Sequence, residues 1–544
     1  MSISSSGPSW LSKCMKVPPK YIQATTIISI GGILFGLDTG TIGPLTVMPQ
    51  FDESFGTLST TVHGLLVSTI LIPAALASMF TGHLANALGR LAATAIGSFI
   101  FGVGAAIECS SFALPQLFVG RAIKGIGEGF FLSTIVVYIT EISPPSQRGT
   151  LASLPQFIVT AGILVGYFMC YGSVGIESSL SWRLPYAVQA IIAFIFTAST
   201  MLFLPHSPRW LAARGRFAEA ESVWLSLGVS DDEREKVDEE VDDTEKADQV
   251  VKAKDLFAIF APDAWKRTVL GLFLMGIQQA SGIDGVLYYA PVLFQSAGLT
   301  SSTASFLASG ISALLIFLAT LVGFIFADKW GRRTNTIVGG IGQVIAMFII
   351  ASLYASDSVH RSHGAGRWVV IICIYFFAMI FGGTWALSFR VYVSEIQSPK
   401  TRAGATSLSL SANWLVNWVI AFTTPILLNK SASGCYWLWG GSALVTVIVA
   451  FFWMPETMGK SLEEIDASFR KWDSKSKDAV RNDGVVELGM VEDLGAQSED
   501  NLGKDDKSEA KVTSRVVFKR TGLDGFGGKG STVALGISLS ALHG

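Results

Sequence analysis

Charge is what this chain has least of: only 15% of its 544 residues are Asp, Glu, Lys or Arg, against roughly 25% in soluble proteins. A soluble enzyme of this length does not fit. Cysteine is also scarce. The five residues Cys14, Cys109, Cys170, Cys373 and Cys435 are an odd number, include no CxxC pair, and show no metal-ligand spacing with the six histidines. They read as small packing residues, and no metal is expected. No GxxxxGK[ST] run is present, so ATP-driven pumping is not supported; nor is there an HExxH, a Ser-His-Asp pattern or a suggestive pair of acids. Catalytic residues and cofactors are therefore not expected. A formal net charge of −2 argues against a nucleic-acid partner, which calls for a strongly basic face. Lys13, Lys16 and Lys20 precede no short apolar core with a small-residue cleavage site, so a removable signal peptide is not indicated.

What the chain has in abundance is apolar surface. Half of it is hydrophobic, with 35 Phe and 14 Trp, and its mean hydropathy is +0.48. These residues outnumber what a soluble core hides, so lipid must solvate much of the exterior. With a window of about 20 residues, the length that crosses a bilayer, about twelve helices are predicted. They start near positions 24, 60, 91, 114, 149, 184, 267, 302, 335, 367, 403 and 435. Five segments follow: a cytoplasmic N-terminus at 1–23, a six-helix half at 24–208, a linker at 209–266, a second six-helix half at 267–456, and a largely disordered cytoplasmic tail at 457–544. The linker run DDEREKVDEEVDDTEK is too charged for lipid but suits amphipathic surface helices.

Basic residues are retained on the cytoplasmic side. The even-numbered loops and the termini carry Lys13, Lys16, Lys20, Arg90, Arg148, Arg209, Lys329, Arg332, Arg333, Lys400 and Arg402, whereas the other side offers Arg183, Arg361, Arg367 and Lys430. Both termini are therefore expected in the cytoplasm. A direct repeat relates the halves. Tyr138, Glu141 and Arg148 recur as Tyr392, Glu395 and Arg402, since 392 − 138, 395 − 141 and 402 − 148 all give 254. Asn86 to Arg90 likewise mirrors Asp328 to Arg332. Parallel halves of this kind are a transporter architecture with the substrate near the midplane.

The repeated loops resemble those of the major facilitator superfamily, and the other motifs resemble its sugar porter family, of the fungal monosaccharide-transporter type. These motifs are GLDTG at Gly36, GRAIKGIGEG at Gly120, EISPPSQRG at Glu141, PHSPRW at Pro205, QQASGIDGVLYY at Gln278, DKWGRR at Asp328, YVSEI at Tyr392 and PETMGKSLEE at Pro455. Any one of them is weak; eight in the family's order are strong. The fold class expected is an all-α membrane protein with twelve transmembrane helices in two parallel six-helix halves.

Charges at membrane depth are functional candidates. Asp38 in the first helix and Arg121 in the fourth are placed to pair, and protonation of that carboxylate would release its partner. The resemblance implies a proton symporter, because uniporters of the family lack the first-helix carboxylate. Lys124 and Glu128, spaced i to i+4, are expected to satisfy one another on one helix face, or else to perturb Arg121 one and two turns away. Gly125, Gly127 and Gly129 indicate close helix packing. In the seventh helix, Gln278, Gln279, Gly282 and Gly285 have the composition of a discontinuous helix lining a cavity, with amides suited to sugar hydroxyls. The resemblance assigns sugar-contacting or gating positions to Gln156, Gln278, Gln279, Tyr288, Tyr289, Asn413, Trp414 and Asn417. Two departures from its pattern, Asp284 and Arg390, are expected to pair across the cavity, or else to engage a substrate with an acidic group. Arg90, Glu141, Arg148, Asp328, Arg332, Arg333, Glu395 and Arg402 form the expected cytoplasmic gate, with Glu141 opposite Arg148 and Glu395 opposite Arg402. Asn86 and His206 each replace an acidic residue usual in the family.

These readings converge on a multi-pass carrier, not an enzyme, in a fungal-type plasma membrane. It is expected to move a monosaccharide or related polyol with a proton, its partners being the solute, the proton and the lipid bilayer. The alternatives are an uncoupled facilitator, a carrier of a disaccharide or quinate-like sugar acid, and a nutrient sensor that transports nothing.

Overall fold

Hydrocarbon offers no water to backbone N–H and C=O groups, so a chain that crosses it must satisfy them within itself, as a helix does. The structure, a computed structural model, describes residues 18–144, 147–229, 260–261, 264–299, 302–326, 329–359, 364–397, 402–460, 464–465 and 469. Among them are twelve helices long and apolar enough to span: α1 (Lys20–Leu45), α2 (Thr60–Leu88), α3 (Arg90–Cys109), α4 (Leu114–Ile142), α5 (Gly149–Ser173), α6 (Leu180–Phe203), α7 (Trp265–Tyr288), α8 (Ala304–Ile325), α9 (Arg332–Ala355), α10 (Gly366–Ile396), α11 (Gly404–Lys430) and α12 (Ala432–Trp453). Their starts fall within a few residues of the predicted ones. The charged linker run, the tail beyond 469, Asp328, Lys400, and the side chains of Arg148 and Arg402 lie outside the described residues.

The packing repeats as the sequence does. In the first half α1 lies on α5, α2 on α4, and α3 on α4 and α6; six helices later α7 lies on α11, α8 on α10, and α9 on α10 and α12. Between the halves α2 packs on α11 and α5 on α8, and the same shift of six exchanges these two contacts. A parallel pseudo-twofold is the simplest account. Large apolar residues such as Leu76, Phe80, Ile195, Leu202, Phe203, Val338, Ile372 and Phe452, each more than half exposed, form the outer surface facing lipid.

Consecutive helices alternate in direction, so one face carries Lys20 and Trp453, here the terminal face, and the other is the distal face. Small residues let backbones meet inside each half. A Cβ on Gly36 of α1 would stand 2.1 Å from the Val159 carbonyl oxygen of α5, and one on Gly127 of α4 2.4 Å from that of Gly97 in α3. Two helices of the second half are broken. In α7 the break falls at Gly282, whose φ of +87° a side chain disfavours and whose Cβ would meet the Trp439 ring at 2.2 Å. Gly285, also expected to weaken the helix, instead lies within its second segment. In α10 the break is at Thr384, whose hydroxyl donates to the Ile380 carbonyl at 2.5 Å. No motif announced that second break. A hydrogen bond from Gln278 Nε2 to the Trp385 carbonyl, 2.9 Å, ties the two irregular regions together.

Packing against a neighbouring carbonyl leaves α1 no room to move aside. Gly36→Ala is expected to cost about 1–3 kcal/mol, read as a lowered thermal midpoint of the detergent-solubilised protein. Gly172→Ala, with nothing within 4 Å of its added Cβ, should leave the midpoint unchanged or higher.

Candidate transport site

The first-half core holds a group of charges that no helix could carry alone. Asp38 sits in the distal half of α1, and Arg121 of α4 reaches its Oδ1 at 3.5 Å while donating to the Val67 carbonyl at 3.0 Å. The expected pair is present. Lys124 is nearer still, with its Nζ 2.6 Å from the same Asp38 oxygen, 2.5 Å from Glu108 Oε2 of α3 and 2.8 Å from Gln189 Oε1 of α6. Glu108 also lies 3.7 Å from Arg121.

This corrects the expected Lys124–Glu128 pair: both residues are buried, but Lys124 turns away and neither oxygen of Glu128 has a hydrogen-bond partner among the described residues. The reason is geometric. Side chains on a helix tilt toward its N-terminus, so Lys124 reaches back toward the distal end of α4 and the end of α3, where Glu108 lies; a Lys preceding its Glu by four residues is also the weaker order. Sequence reading missed Glu108 and Gln189, because no spacing rule links residues of different helices. The apolar setting of Glu108 in IECSS was the one available signal.

A cavity lies between the halves beside this cluster. Its wall includes Gln156 of α5, Gln278, Gln279 and Asp284 of α7, Arg390 of α10, and Asn413, Trp414 and Asn417 of α11, with Phe35 and Thr39 of α1 opposite. Ring edges of Phe35 and Trp414 meet at 5.6 Å and 81°. The amides interlock: Asn413 Nδ2 donates to the Met275 carbonyl at 2.7 Å and to Gln278 Oε1 at 3.2 Å, and Gln279 Nε2 donates to Asn413 Oδ1 at 3.3 Å. Three amide oxygens, Gln156 Oε1, Gln279 Oε1 and Asn417 Oδ1, accept no hydrogen bond among the described residues.

Asp284 accepts from Asn417 Nδ2 at 2.5 Å. No ion pair joins it to Arg390 among the described residues, although both line the cavity. The expected direct pair is thus not formed here. Asn417 has taken the carboxylate that Arg390 was expected to hold.

Tyr288 and Tyr289 are not on this wall; they close its distal end. Tyr289 donates to the Ala421 carbonyl at 2.7 Å and meets the His63 ring edge-on at 5.3 Å. The Tyr167 hydroxyl donates to the Leu287 carbonyl, and Gly43 of α1 presses on the Tyr288 carbonyl. Toward the terminal face, Phe157 of α5 stacks between Phe317 and Phe324 of α8 at 5.1 and 5.7 Å. Ser78 of α2 meets Ser411 of α11 at 3.1 Å.

At the terminal face, Arg90 Nε lies 3.0 Å from both oxygens of Glu141. Its Nη1 reaches Asn86 Oδ1 at 2.7 Å, so the amide supplies an acceptor where the family has an anion. Arg332 is 3.3 Å from Glu395, which also accepts from Thr457 at 2.6 Å. Arg333 donates instead to the carbonyls of Ala450 and Phe451. Glu456, unassigned from sequence, caps α9 by accepting from the backbone N–H of Arg332 at 2.7 Å and of Arg333 at 3.1 Å, where a carboxylate complements the helix dipole. His206 stacks on Trp210.

Removing the central ammonium strands two buried carboxylates. Lys124→Met is expected to cost about 3 kcal/mol or more, seen as loss of the monodisperse peak in fluorescence-detected size exclusion on heating. Adding Glu108→Gln should restore part of it.

Comparison with known proteins agrees with this architecture. The profile of the family described as "Sugar (and other) transporter" matches residues 24–469. A high-affinity glucose transporter of Kluyveromyces lactis is 30% identical over 81% of this chain and 83% of its own length. The sugar transporter STL1 of Saccharomyces cerevisiae is 30% identical over 82% and 81%. Among solved structures, the proton:xylose symporter XylE bound to 6-bromo-6-deoxy-D-glucose superposes with a TM-score of 0.71 at 27% identity, covering 82% of this chain and 99% of that one. These relatives are transporters rather than enzymes. With a family profile matched across both halves and twelve spans packed as a repeated six, the chain belongs to the sugar transporter family of the major facilitator superfamily.

Proposed function

We propose that this protein carries a monosaccharide or related polyol across a plasma membrane by alternating access, together with a proton. The observation that carries the substrate class is the set of uncommitted amide oxygens on Gln156, Gln279 and Asn417 around one cavity. A neutral polyol brings an O–H for each and avoids the desolvation cost of a charge. Trp414 offers apolar surface to the C–H face of a ring. The glucose transporters and the proton:xylose symporter among the relatives support the same reading.

Coupling is assigned to the buried cluster around Asp38 and Arg121, whose charge state biases how α1 and α4 pack. The terminal face, with Lys20, Arg90, Arg209, Arg332 and Arg333, is assigned to the cytoplasm by its basic residues. The pairs Arg90–Glu141 and Arg332–Glu395 fix helix ends within each half and belong to the inner gate, together with Arg148, Asp328, Arg333 and Arg402. A specific observation favours a second reading. Arg390 faces the cavity and makes no direct ion pair among the described residues, and a guanidinium matches a carboxylate, so a sugar acid is an alternative substrate.

Radiolabelled uptake in a transporter-deficient yeast, with a panel of hexoses, pentoses, polyols and sugar acids, tests both readings. Saturable uptake of a neutral sugar is expected, with external alkalinisation; Asn417→Ala or Gln279→Ala should raise KM about tenfold, the worth of roughly one hydrogen bond. Asp38→Asn should abolish alkalinisation but spare sugar counterflow. Uptake of sugar acids alone, lost in Arg390→Gln, would favour the second reading. Uptake of nothing, by correctly inserted protein, would contradict both.

A further inference from the structure

Three carboxyls, Asp38, Glu108 and Glu128, share the first-half core with two cations, Arg121 and Lys124, and all five are at most 4% exposed. The Lys124 ammonium has three N–H donors, and three acceptors surround it: Asp38, Glu108 and the Gln189 carbonyl oxygen. Gln189 is oriented for this by its own Nε2, which donates to Thr41 Oγ1 at 2.9 Å. The ammonium is therefore fully engaged. Arg121 lies against the same two carboxylates. Two cations are thus already matched by two anions.

Glu128 is left over. It lies on the α4 face that carries Arg121 and Lys124, at i+7 and i+4, one turn nearer the terminal face. The charges acting on it are Asp38, Lys124, Arg121 and Glu108, and its own charge is felt at Tyr288 of α7. Beside its neighbours Gly127 and Gly129, α3 brings Gly97 and Phe101, and α2 brings Ala74 and Ala77, none of them titratable. Neither carboxyl oxygen has a hydrogen-bond partner among the described residues, and an isolated buried carboxylate costs several kcal/mol.

We infer that Glu128 holds a proton in this conformation and is the station from which the coupled proton passes to Asp38. The transfer leaves the total charge of the cluster unchanged. Glu128 loses its O–H proton and becomes a carboxylate; Asp38 gains that proton and becomes neutral. Lys124, no longer held by Asp38, then has an anion four residues along its own helix. The i to i+4 pair becomes the second state of a switch whose first state is the Asp38–Lys124–Glu108 arrangement, and the exchange frees α1 from α4. This role rests on the proton-coupled reading above, but the resting place of the proton is measurable without any substrate.

The measurement is infrared spectroscopy of the full chain in lipid nanodiscs at neutral pH, grown with glutamate carrying carbon-13 at the side-chain carboxyl. A neutral-carboxyl C=O band that shifts with the label is expected, which separates Glu from Asp38 and Asp284. In Glu128→Asp, which keeps the charge count, the label-sensitive band should disappear. Its absence from the parent protein, or its persistence in Glu128→Asp, would overturn the inference. A second arm uses whichever sugar of the uptake panel is carried: Glu128→Gln should lose at least tenfold in alkalinisation per sugar while keeping counterflow. Alkalinisation that survives in Glu128→Gln would overturn the role of Glu128 alone. Uptake by the parent protein without alkalinisation would overturn symport itself, and the relay with it.

Discussion

A lysine ammonium buried in a lipid-solvated bundle must find all its acceptors in the protein, and here it finds them on three helices other than its own. Lys124 draws Asp38 of α1, Glu108 of α3 and Gln189 of α6 to one point. Each would be costly alone in low dielectric, and together they are tolerable only while the geometry holds. The consequence is a first half whose helices are pinned toward the distal side by charge and elsewhere by close backbone contact at positions such as Gly36 and Gly127. Among the described residues the second half has no comparable buried charge knot. Its irregularity is in the backbone, at Gly282 and Thr384, where α7 and α10 break beside the cavity.

That division of labour is a mechanism in outline. The amide-lined wall is supplied largely by α7, α10 and α11, and the charge cluster sits in α1, α3, α4 and α6, so solute contacts and proton-sensitive contacts lie mostly on opposite halves. Thr39 joins them, because it lines the cavity and directly follows Asp38. A change in how Asp38 is held is therefore a change in the cavity wall. On the proposed proton-coupled reading, rigid halves with a soft seam convert a local charge exchange into relative motion.

Much of this was legible in the sequence because its signals are local. Twenty apolar residues announce a span, a 254-residue offset announces a repeat, and Gly282 after two glutamines announces a broken helix. What stayed hidden depends on which helices touch. Glu108 and Gln189 carry no pattern that names Lys124 as their partner. The i to i+4 reading of Lys124 and Glu128 failed because spacing alone ignores the tilt of side chains toward the helix start. Asp284 and Arg390 were rightly placed at one cavity, but a nearer donor, Asn417, was not weighed. For Tyr288 and Tyr289 the motif left contact or gating open; both stand beyond the break at Gly282, by the distal seal, with the Tyr288 hydroxyl 3.4 Å from Asn417 Nδ2.

The central claim is that the two halves rock about the cavity, opening one face as the other closes. Pairs of spin labels test it most directly, one pair at the distal ends, on Thr57 and Lys430, and one at the terminal face, on Ala87 and Lys329, all exposed. Followed across a pH series in nanodiscs, the distal distance should gain a longer population while the terminal distance gains a shorter one, in matched proportion. A single unchanged distribution at both faces, or distances that lengthen together, would contradict the account.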